Sequence, residues 1–445
     1  ARLITLRSAV QIRPPQPILM NIINFSQKTI SHSNKILVFL FCTFPIAIIS
    51  GNLLTNTYII LIGLIYFLFH FKLNFLKNKI FIILNLFFLS LIINLFFSQN
   101  IFLSYPRVLK FLFIIYFILS FGHLINLNES YDKTIFKVWT FIMIIFTIDL
   151  LIEFYFGQNI LGNKSYMYGR LSGFFGDELI AGYFYSGFIF FGFVYIYKNY
   201  NLKIIFILSL FLLIIFVSLV VGERSNFIKL SLGLSLLTFI IIEIKTYKKI
   251  LFSSLIILCS VAFISSDNLR SKSLSFIKEI GDEKYYVRYY EQLLPIFQKD
   301  GFDKLLKETE YGAHYDTAYK IFERNKLFGV GIKNFRLESS KPIYYNKEYF
   351  YTFNRSKTHP HQIHFELLSE TGLFGYISFL ALFIYSFFLS IKNYLVFRNF
   401  YQLCAMIFIL VSFIPYLPSG SFYSSFNSSI FWLNYALMMG YNIKR

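Results

Sequence analysis

The sequence predicts an all-α protein that crosses a membrane about twelve times, and three observations indicate this fold class. Hydrophobic residues make up 56% of the 445-residue chain and charged residues only 15%, whereas a soluble domain has roughly 25% charged residues. The mean hydropathy is +0.59. The apolar residues also form long runs, as a helix that spans a bilayer requires. These features exclude a soluble enzyme, a disordered chain and a disulfide scaffold.

Twelve apolar segments are predicted to be spanning helices, taken in chain order. Polar or charged residues separate them, and they cover residues 36–50, 57–71, 79–97, 109–126, 135–156, 181–197, 202–221, 226–243, 249–265, 372–391, 400–416 and 428–443. Cys42, Cys259 and Cys404 all lie in these segments, which predicts neither a disulfide framework nor a thiolate metal site. Residues 1–19 precede Met20 and contain no apolar run, so we expect that they do not belong to the natural chain.

The positions of lysine and arginine predict the orientation. With the N-terminus in the cytoplasm, nineteen of these residues lie on the inner side and six in or beside the short outer loops. Because positive residues favour the cytoplasmic side, both termini are predicted to be cytoplasmic. The net charge of +19 is then mainly a consequence of topology, and no nucleic-acid partner is expected.

This topology divides the chain into four parts. They are an N-terminal segment at 1–35, nine spanning helices within 36–265, one long external loop at 266–371, and three further helices within 372–445. The loop contains 15 of the 23 acidic and 17 of the 42 basic residues, so its net charge is only +2. Helical spacing of apolar residues in 315–328 predicts that this loop is a mostly helical, water-exposed subdomain.

Two short polar segments on the outer side contain arginines. Gly169 to Glu178 includes Arg170 and three glycines, which permit tight turns beside a cation that suits phosphate. Gly222 to Asn226 contains Arg224 in a loop so short that this arginine lies at the membrane boundary, where charges are usually functional or paired. The alternatives are an interfacial arginine on a turn, and a local arrangement of Arg224 with Glu223 or snorkelling.

A third segment, Phe328 to Arg336, contains Gly-x-Gly followed by Lys333. No β-α-β pattern precedes it, which excludes a dinucleotide-binding fingerprint. A turn that brings Lys333 and Arg336 towards the site and a purely structural turn are both consistent with the sequence.

The fourth segment, Arg355 to Gly372, contains His359, His361 and His364. Thr358 or His359 is predicted to cap a helix that has Pro360 in its first turn and ends near Gly372. The helix dipole would then keep His361 neutral and able to accept a proton. Metal ligation by the histidines and plain capping or packing are the alternatives, although no zinc-type spacing supports a metal.

Two acidic residues, Asp149 and Glu153, are predicted to lie within the fifth span. They either form an ion path or orient arginines and histidines near the outer surface. The chain contains no Asp-x-Asp motif, the usual carboxylate pair for Mg²⁺ on a nucleotide sugar. Arginines and a helix start are the remaining means of holding a phosphate leaving group.

Together these stretches resemble the O-antigen ligase and O-antigen polymerase family of bacterial envelope glycosyltransferases. The similar stretches are residues 149–162, 169–178, 222–225, 328–336 and 358–375. The twelve spans and the large loop before the tenth span are also similar. The resemblance implies a fold like that of the GT-C glycosyltransferases in the bacterial inner membrane. It also implies an inverting transfer, without metal or cofactor, of a glycan from undecaprenyl pyrophosphate at the periplasmic face.

The resemblance implies roles for individual residues. The conserved histidine of the family corresponds to His361, followed here by Gln362 instead of the commoner asparagine, and the arginine after the seventh or eighth span corresponds to Arg224. Many members have an arginine in the loop, within an Arg-x-x-x-Trp pattern. Residues 311–315 occupy the corresponding place in this sequence and contain no arginine. The residues that would compensate are Arg288, Arg336, Arg355 or His314.

The resulting hypothesis assigns the proton transfer to His361 and the pyrophosphate to Arg224 and Arg170 with a further cation from the loop. His359, Glu366, Asp149 and His314 are expected to support this site. The acceptor is either lipid A-core, for a ligase, or a second lipid-linked glycan, for a polymerase. The alternative functions are a flippase for the lipid-linked glycan and a non-catalytic envelope assembly protein.

Overall fold

The computed structural model describes residues 16–242 and 303–443, apart from residues 129, 168, 177, 201 and 305. This part of the chain is helical and contains no β-strand. The predicted ninth span at 249–265, the first part of the external loop and Arg288 lie outside the described residues.

The described residues form thirteen α-helices, numbered here in chain order. They are α1 (Gln16–Ile49), α2 (Asn52–Phe69), α3 (Lys79–Phe96), α4 (Ile101–Leu127), α5 (Ser130–Phe156), α6 (Ala181–Asn199), α7 (Ile204–Val220), α8 (Arg224–Ile241), α9 (Glu310–Arg324), α10 (Phe335–Glu338), α11 (Ile363–Phe397), α12 (Phe400–Ser412) and α13 (Ser425–Ile443).

Seven of the described helices are long and apolar enough to cross a membrane, and α7 and α12 are shorter apolar helices. The prediction of an all-α polytopic membrane protein is therefore confirmed. Eleven of the twelve predicted spans coincide with helices, although their edges differ. The segment predicted at 36–50 is only the C-terminal part of α1. Helix α11 begins at Ile363, and its backbone leaves the helical conformation at Gly372 (φ 64°), where the segment predicted at 372–391 begins.

Close helix contacts in the bundle depend on small residues. Helix α4 packs against α2, α3 and α13. A Cβ atom added to Gly122 would lie 2.9 Å from the Cβ atom of Ile443, so this glycine lets α4 and α13 approach each other. The indole of Trp139 on α5 donates a 2.8 Å hydrogen bond to the Phe41 carbonyl on α1, which satisfies a buried polar group.

The predicted polar segments meet at one end of the bundle, around the loop between α12 and α13. Residues 413–424 are called the central loop here. The Ser419 N–H donates to the His361 carbonyl over 2.8 Å, and the Leu171 N–H donates to the Val221 carbonyl over 3.1 Å. The Gly331 N–H donates to the Glu370 carbonyl of α11 over 2.9 Å. Segments that are far apart in sequence therefore lie together.

Candidate active site

The central loop connects the start of α8 to His361. The Lys229 ammonium of α8 donates a 3.0 Å hydrogen bond to the Pro418 carbonyl, and the Ser225 hydroxyl donates to the same oxygen. The next residue, Ser419, donates its N–H to the His361 carbonyl. Two segments that the sequence analysis singled out, 222–226 and 355–372, are thus bonded to adjacent residues of one loop.

His361 lies in a cluster of aromatic rings. Its ring centroid is 4.0 Å from that of His359, 5.3 Å from that of His314 and 5.8 Å from that of Tyr311. Burial, together with the neighbouring His314 and Lys357, lowers the pKa of His361 to about 4. The imidazole is therefore neutral at neutral pH and able to accept a proton.

The predicted reason for this neutral state was wrong. Helix α11 begins at Ile363, and Gln362 is its N-cap, with a side-chain oxygen that accepts from the N–H groups of His364 and Phe365 at 2.7 and 3.1 Å. His361 precedes the cap and has φ 57°, a left-handed conformation that cannot continue a helix. Neither Thr358 nor His359 caps the helix, and burial and cations, not a position in the first turn, depress the pKa of His361.

His314 and His359 border His361 from two elements. His314, on α9, bonds the Asn354 carbonyl through Nε2 at 3.1 Å, and the Nδ1 atom of His359 bonds the Thr358 hydroxyl at 2.9 Å. Burial lowers the pKa of both rings. The Nδ1 atom of His314 and the Nε2 atom of His359 are buried and have no hydrogen-bond partner among the described residues, which leaves two ring nitrogens for a ligand.

Glu366 positions the central loop rather than contacting the histidine rings. Its two carboxylate oxygens accept hydrogen bonds from the Ser421 hydroxyl at 2.5 Å and from the Phe422 N–H at 2.7 Å. The Lys333 ammonium lies 4.0 Å from the same carboxylate and also donates to Ser421. The segment 328–336 is therefore fixed to the central loop through a buried ion pair.

Glu370, one turn further along α11, bonds the backbone of the same segment. It accepts from the Lys333 N–H at 2.8 Å and from the Phe335 N–H at 3.3 Å. These contacts hold Lys333 in a left-handed conformation with φ 66°. The Gly-x-Gly segment is thus a structural turn, and it also brings the Lys333 cation to the central loop.

Arg170 lies beside the carboxylate of Glu223, the residue that precedes Arg224. A guanidinium nitrogen of Arg170 is 4.0 Å from Glu223, whose Oε1 atom also accepts from the Gly182 N–H at 2.9 Å. Burial raises the pKa of Glu223, and the neighbouring Arg170 and the hydrogen bonds oppose this shift. Arg224 is the first residue of α8 and is half-buried.

Gly222 makes the approach of the two arginine segments possible. Its φ is 79°, and a Cβ atom there would collide with the carbonyl oxygen of Gly169. Any side chain at position 222 would therefore separate the Arg170 segment from the start of α8.

Asp149 and Glu153 anchor the loop that contains Arg170. Asp149 accepts from the Ile160 N–H at 2.9 Å, and Glu153 accepts from the N–H groups of Ser172 and Gly173 at 3.0 and 2.6 Å. Of the two predicted alternatives, these contacts fit the orientation of nearby groups, because both carboxylates bind loop backbone.

Arg336 and Arg355 differ in their surroundings. Arg355 donates to the carbonyls of Thr352, Ser340 and Lys341 at 3.1 to 3.3 Å, so it braces the external loop. Arg336 is exposed on α10, and its charge contributes to the lowered pKa of His359. Arg336 is therefore the better placed of the two to supply the additional cation near the histidines.

Sequence reasoning missed the central loop, although its composition was a signal. The stretch contains Pro415, Pro418 and Gly420 together with several serines, a combination typical of an irregular segment.

Among the residues that the structure describes, no group of three or more histidine, cysteine or acidic side chains is arranged to hold a metal ion.

Comparison with known protein families matches one part of the chain. Residues 210–380 match the family model described as O-antigen ligase. The matched stretch runs from α7 through α8, α9 and α10 into α11, and so includes Arg224, Lys333 and His361. No curated protein matches the chain. The match over residues 210–380 supports the resemblance to the O-antigen ligase and polymerase family and a glycan-transfer role in O-antigen biosynthesis.

Proposed function

We propose that this protein transfers a glycan from undecaprenyl pyrophosphate to a sugar hydroxyl at the periplasmic face of the bacterial inner membrane. His361 takes the proton of the acceptor hydroxyl while the hydroxyl oxygen bonds to the anomeric carbon. The bond between that carbon and the diphosphate oxygen breaks, and undecaprenyl pyrophosphate leaves. Attack opposite to the leaving group inverts the anomeric configuration, and no metal takes part.

The observation that supports this proposal most directly is the neutral His361. It lies among aromatic rings and is connected to the start of α8 through the central loop. A general base must be unprotonated before the reaction, and a pKa of about 4 meets that condition at neutral pH. Arg224 and Arg170 are the cations assigned to the diphosphate, with Arg336 as the additional cation from the external loop.

The orientation is part of the proposal. The histidine cluster and the central loop lie at the end of the bundle that the distribution of lysine and arginine predicts to be periplasmic. Both termini are then cytoplasmic. The lipid-linked glycan is the donor, and either lipid A-core or another lipid-linked glycan is the acceptor.

The test measures glycan transfer by the purified, detergent-solubilised protein in the presence of EDTA. The donor is undecaprenyl-pyrophosphate-linked glycan, and lipid A-core is either added as acceptor or left out. Glycan on the core identifies a ligase, and longer lipid-linked chains without the core identify a polymerase. We expect His361→Ala to abolish either product while the thermal midpoint stays close to that of the wild type. Movement of the lipid-linked glycan across liposomes without any transfer would contradict the proposal and identify a flippase.

A further inference from the structure

A lysine inside α8 is buried without a carboxylate as its direct partner. Lys229 lies five residues after Arg224, the first residue of α8, which is roughly 8 Å along the helix axis. Its side chain is only 3% exposed. Glu223 is close enough to act on this charge, yet the 3.0 Å hydrogen bond of the ammonium goes to the neutral Pro418 carbonyl. A buried cation in a membrane-spanning helix is costly unless it has a function.

The Pro418 carbonyl belongs to the peptide group that also bonds His361. The N–H of this same group, on Ser419, donates to the His361 carbonyl over 2.8 Å. A peptide group is planar, and in its trans form the C=O and the N–H point in opposite directions. None of the described peptide bonds is cis. Lys229 and the backbone of His361 therefore bond opposite sides of one rigid unit.

This rigid unit transmits both direction and charge from α8. The Ser225 hydroxyl donates to the same Pro418 oxygen, so two side chains of α8 orient the carbonyl. Because the peptide group is planar, the orientation of the carbonyl determines where the Ser419 N–H points. An ammonium at the carbonyl oxygen also polarises the peptide group, which strengthens the hydrogen bond that the N–H donates. Loss of the Lys229 charge would therefore weaken the contact with His361.

The backbone of His361 requires such a contact. Its φ of 57° lies in a region that residues with a side chain seldom occupy and keep only where their surroundings hold them. A change of φ here would turn the imidazole away from the rings of His314 and His359, whose centroids lie 5.3 and 4.0 Å away. The position of the imidazole thus depends on what holds its own carbonyl.

We propose that Lys229 is a positioning residue that holds His361 in place for proton transfer, through the peptide group between Pro418 and Ser419. This inference rests on the proposed function, in which His361 is the base. Lys229 does not bind the donor, because its ammonium is buried and bonded to the central loop. The start of α8 therefore has two kinds of cation, one that binds the diphosphate and one that positions the base.

The first experiment measures steady-state glycan transfer by the purified full-length protein, with undecaprenyl-pyrophosphate-linked glycan as donor. It compares the wild type with Lys229→Met, in which the side chain has a similar length but no charge. We expect kcat to fall at least about tenfold and KM for the donor to stay within about twofold, because the lost contact acts on the base and not on the bound donor. Lys229→Arg keeps a cation, so its kcat should exceed that of Lys229→Met at least about threefold.

Lys198→Met is the matched control. Lys198 lies in the last turn of α6, at the opposite end of this helix from Gly182, which bonds Glu223. Its ammonium lies 5.1 Å from the ring centroid of Tyr401. Transfer by this variant should stay within about twofold of the wild type. A larger rise in the donor KM of Lys229→Met would show that Lys229 binds the diphosphate and would overturn the proposal, and so would a kcat equal to that of the wild type.

A second measurement does not require glycan transfer. Diethyl pyrocarbonate modifies neutral imidazoles, and peptide mass spectrometry gives the rate at each histidine. Release of the Ser419 contact should raise the rate at His361 at least about threefold in Lys229→Met and leave the rate at His123, on α4, unchanged. If Lys229→Met does not fold, Ser225→Ala, which removes the other donor to the Pro418 oxygen, should raise the rate at His361 and lower kcat.

The modification rates distinguish this proposal from the proposed function. An unchanged rate at His361 in the folded variants would overturn the positioning role whatever the transfer assay shows. If His361→Gln still transfers glycan while Lys229→Met raises the modification rate at His361, the contact from Lys229 to His361 stands and the assignment of the base fails.

Discussion

The chemistry of the site depends on a histidine that stays neutral while cations surround it. His361 has φ 57°, which places it before α11 and among the rings of His314, His359 and Tyr311. Burial and positive neighbours oppose its protonation. The same cations attract a diphosphate, so binding of the donor would raise the basicity of His361 when the reaction requires it.

The pH dependence follows from the pKa of His361, about 4. We expect kcat/KM for transfer to stay level from neutral pH down to about 5 and to fall below that as His361 becomes protonated. The facing groups that bear on this titration are His314, Lys357, His359 and Tyr311. Since the cation at Lys357 lowers the pKa of His361, Lys357→Gln should move the acidic limb of the profile to higher pH. An acidic limb that stays at the same pH or moves to lower pH would contradict this electrostatic account.

The same shift predicts a change in stability. An unfolded histidine has a pKa of about 6.5, so between that value and 4 the unfolded chain binds more protons than the folded protein. The contribution of His361 to the free energy of unfolding is therefore complete above pH 6.5 and is lost progressively as the pH falls to 4. Thermal midpoints of the wild type and His361→Gln at several pH values should show a smaller acid loss in the variant.

At the scale of single residues, the sequence singled out His361 but predicted its local backbone wrongly. The Pro360 signal favoured a helix start there, but the Gln362 side chain caps α11 two residues later. A cap is decided by hydrogen bonds that several neighbouring residues can make. The pairing of Arg170 with Glu223 also could not be read from the sequence, because 53 positions separate the two residues.

At the scale of elements, short loops are fixed to one another by buried side chains. Glu366 and Lys333 hold the central loop, and Glu153 holds the turn after Arg170. The central loop was missed because a stretch of prolines and serines predicts irregular structure but not its partners. The helices around it were predicted, since the length and periodicity of an apolar run are local properties.

The contact between the arginine loops predicts unequal effects of two glycine substitutions. Gly157 and Gly222 both have positive φ, 72° and 79°, so alanine at either position costs about 1–2 kcal/mol of backbone strain. Only at Gly222 would the new Cβ atom also collide with backbone, at Gly169, whereas nothing lies within 4 Å at Gly157. Gly222→Ala should therefore lower the thermal midpoint more than Gly157→Ala and reduce transfer at least about tenfold.

Gly157→Ala is the control, because it adds the same methyl group to open space with a similar φ. Transfer by Gly157→Ala should remain within about twofold of the wild type. Equal loss of transfer in the two variants would show that strain alone, and not the contact between the two loops, limits activity.

At the scale of the whole molecule, the helices deliver several polar segments to one end of the bundle. Seven described helices are long and apolar enough to span a membrane, and the family match covers residues 210–380. The sequence predicted this architecture because membrane spans are continuous in the chain. The convergence of α4, α8, α11 and the central loop depends on tertiary packing that no local pattern specifies.

The proposed orientation predicts where single cysteines are accessible. Cys42 and Cys404 are buried, so new cysteines at exposed positions dominate labelling once Cys259 is replaced by serine. Lys164→Cys and Ser340→Cys should react with a membrane-impermeant maleimide in spheroplasts. Asn128→Cys, after the C-terminus of α4, should react only after the membrane is permeabilised. The opposite pattern would reverse the proposed topology.

The most direct test of the central claim compares two histidine variants in the same transfer assay with EDTA present. His361→Gln removes the proposed base, whereas His123→Gln alters a histidine on α4 that bonds Asn34 at 3.1 Å, away from the central loop. The account predicts that His361→Gln reduces the single-turnover rate of glycan transfer by at least about a thousandfold and that His123→Gln stays within about twofold of the wild type, with both variants folded. A folded His361→Gln protein that transfers glycan at the wild-type rate would contradict the account.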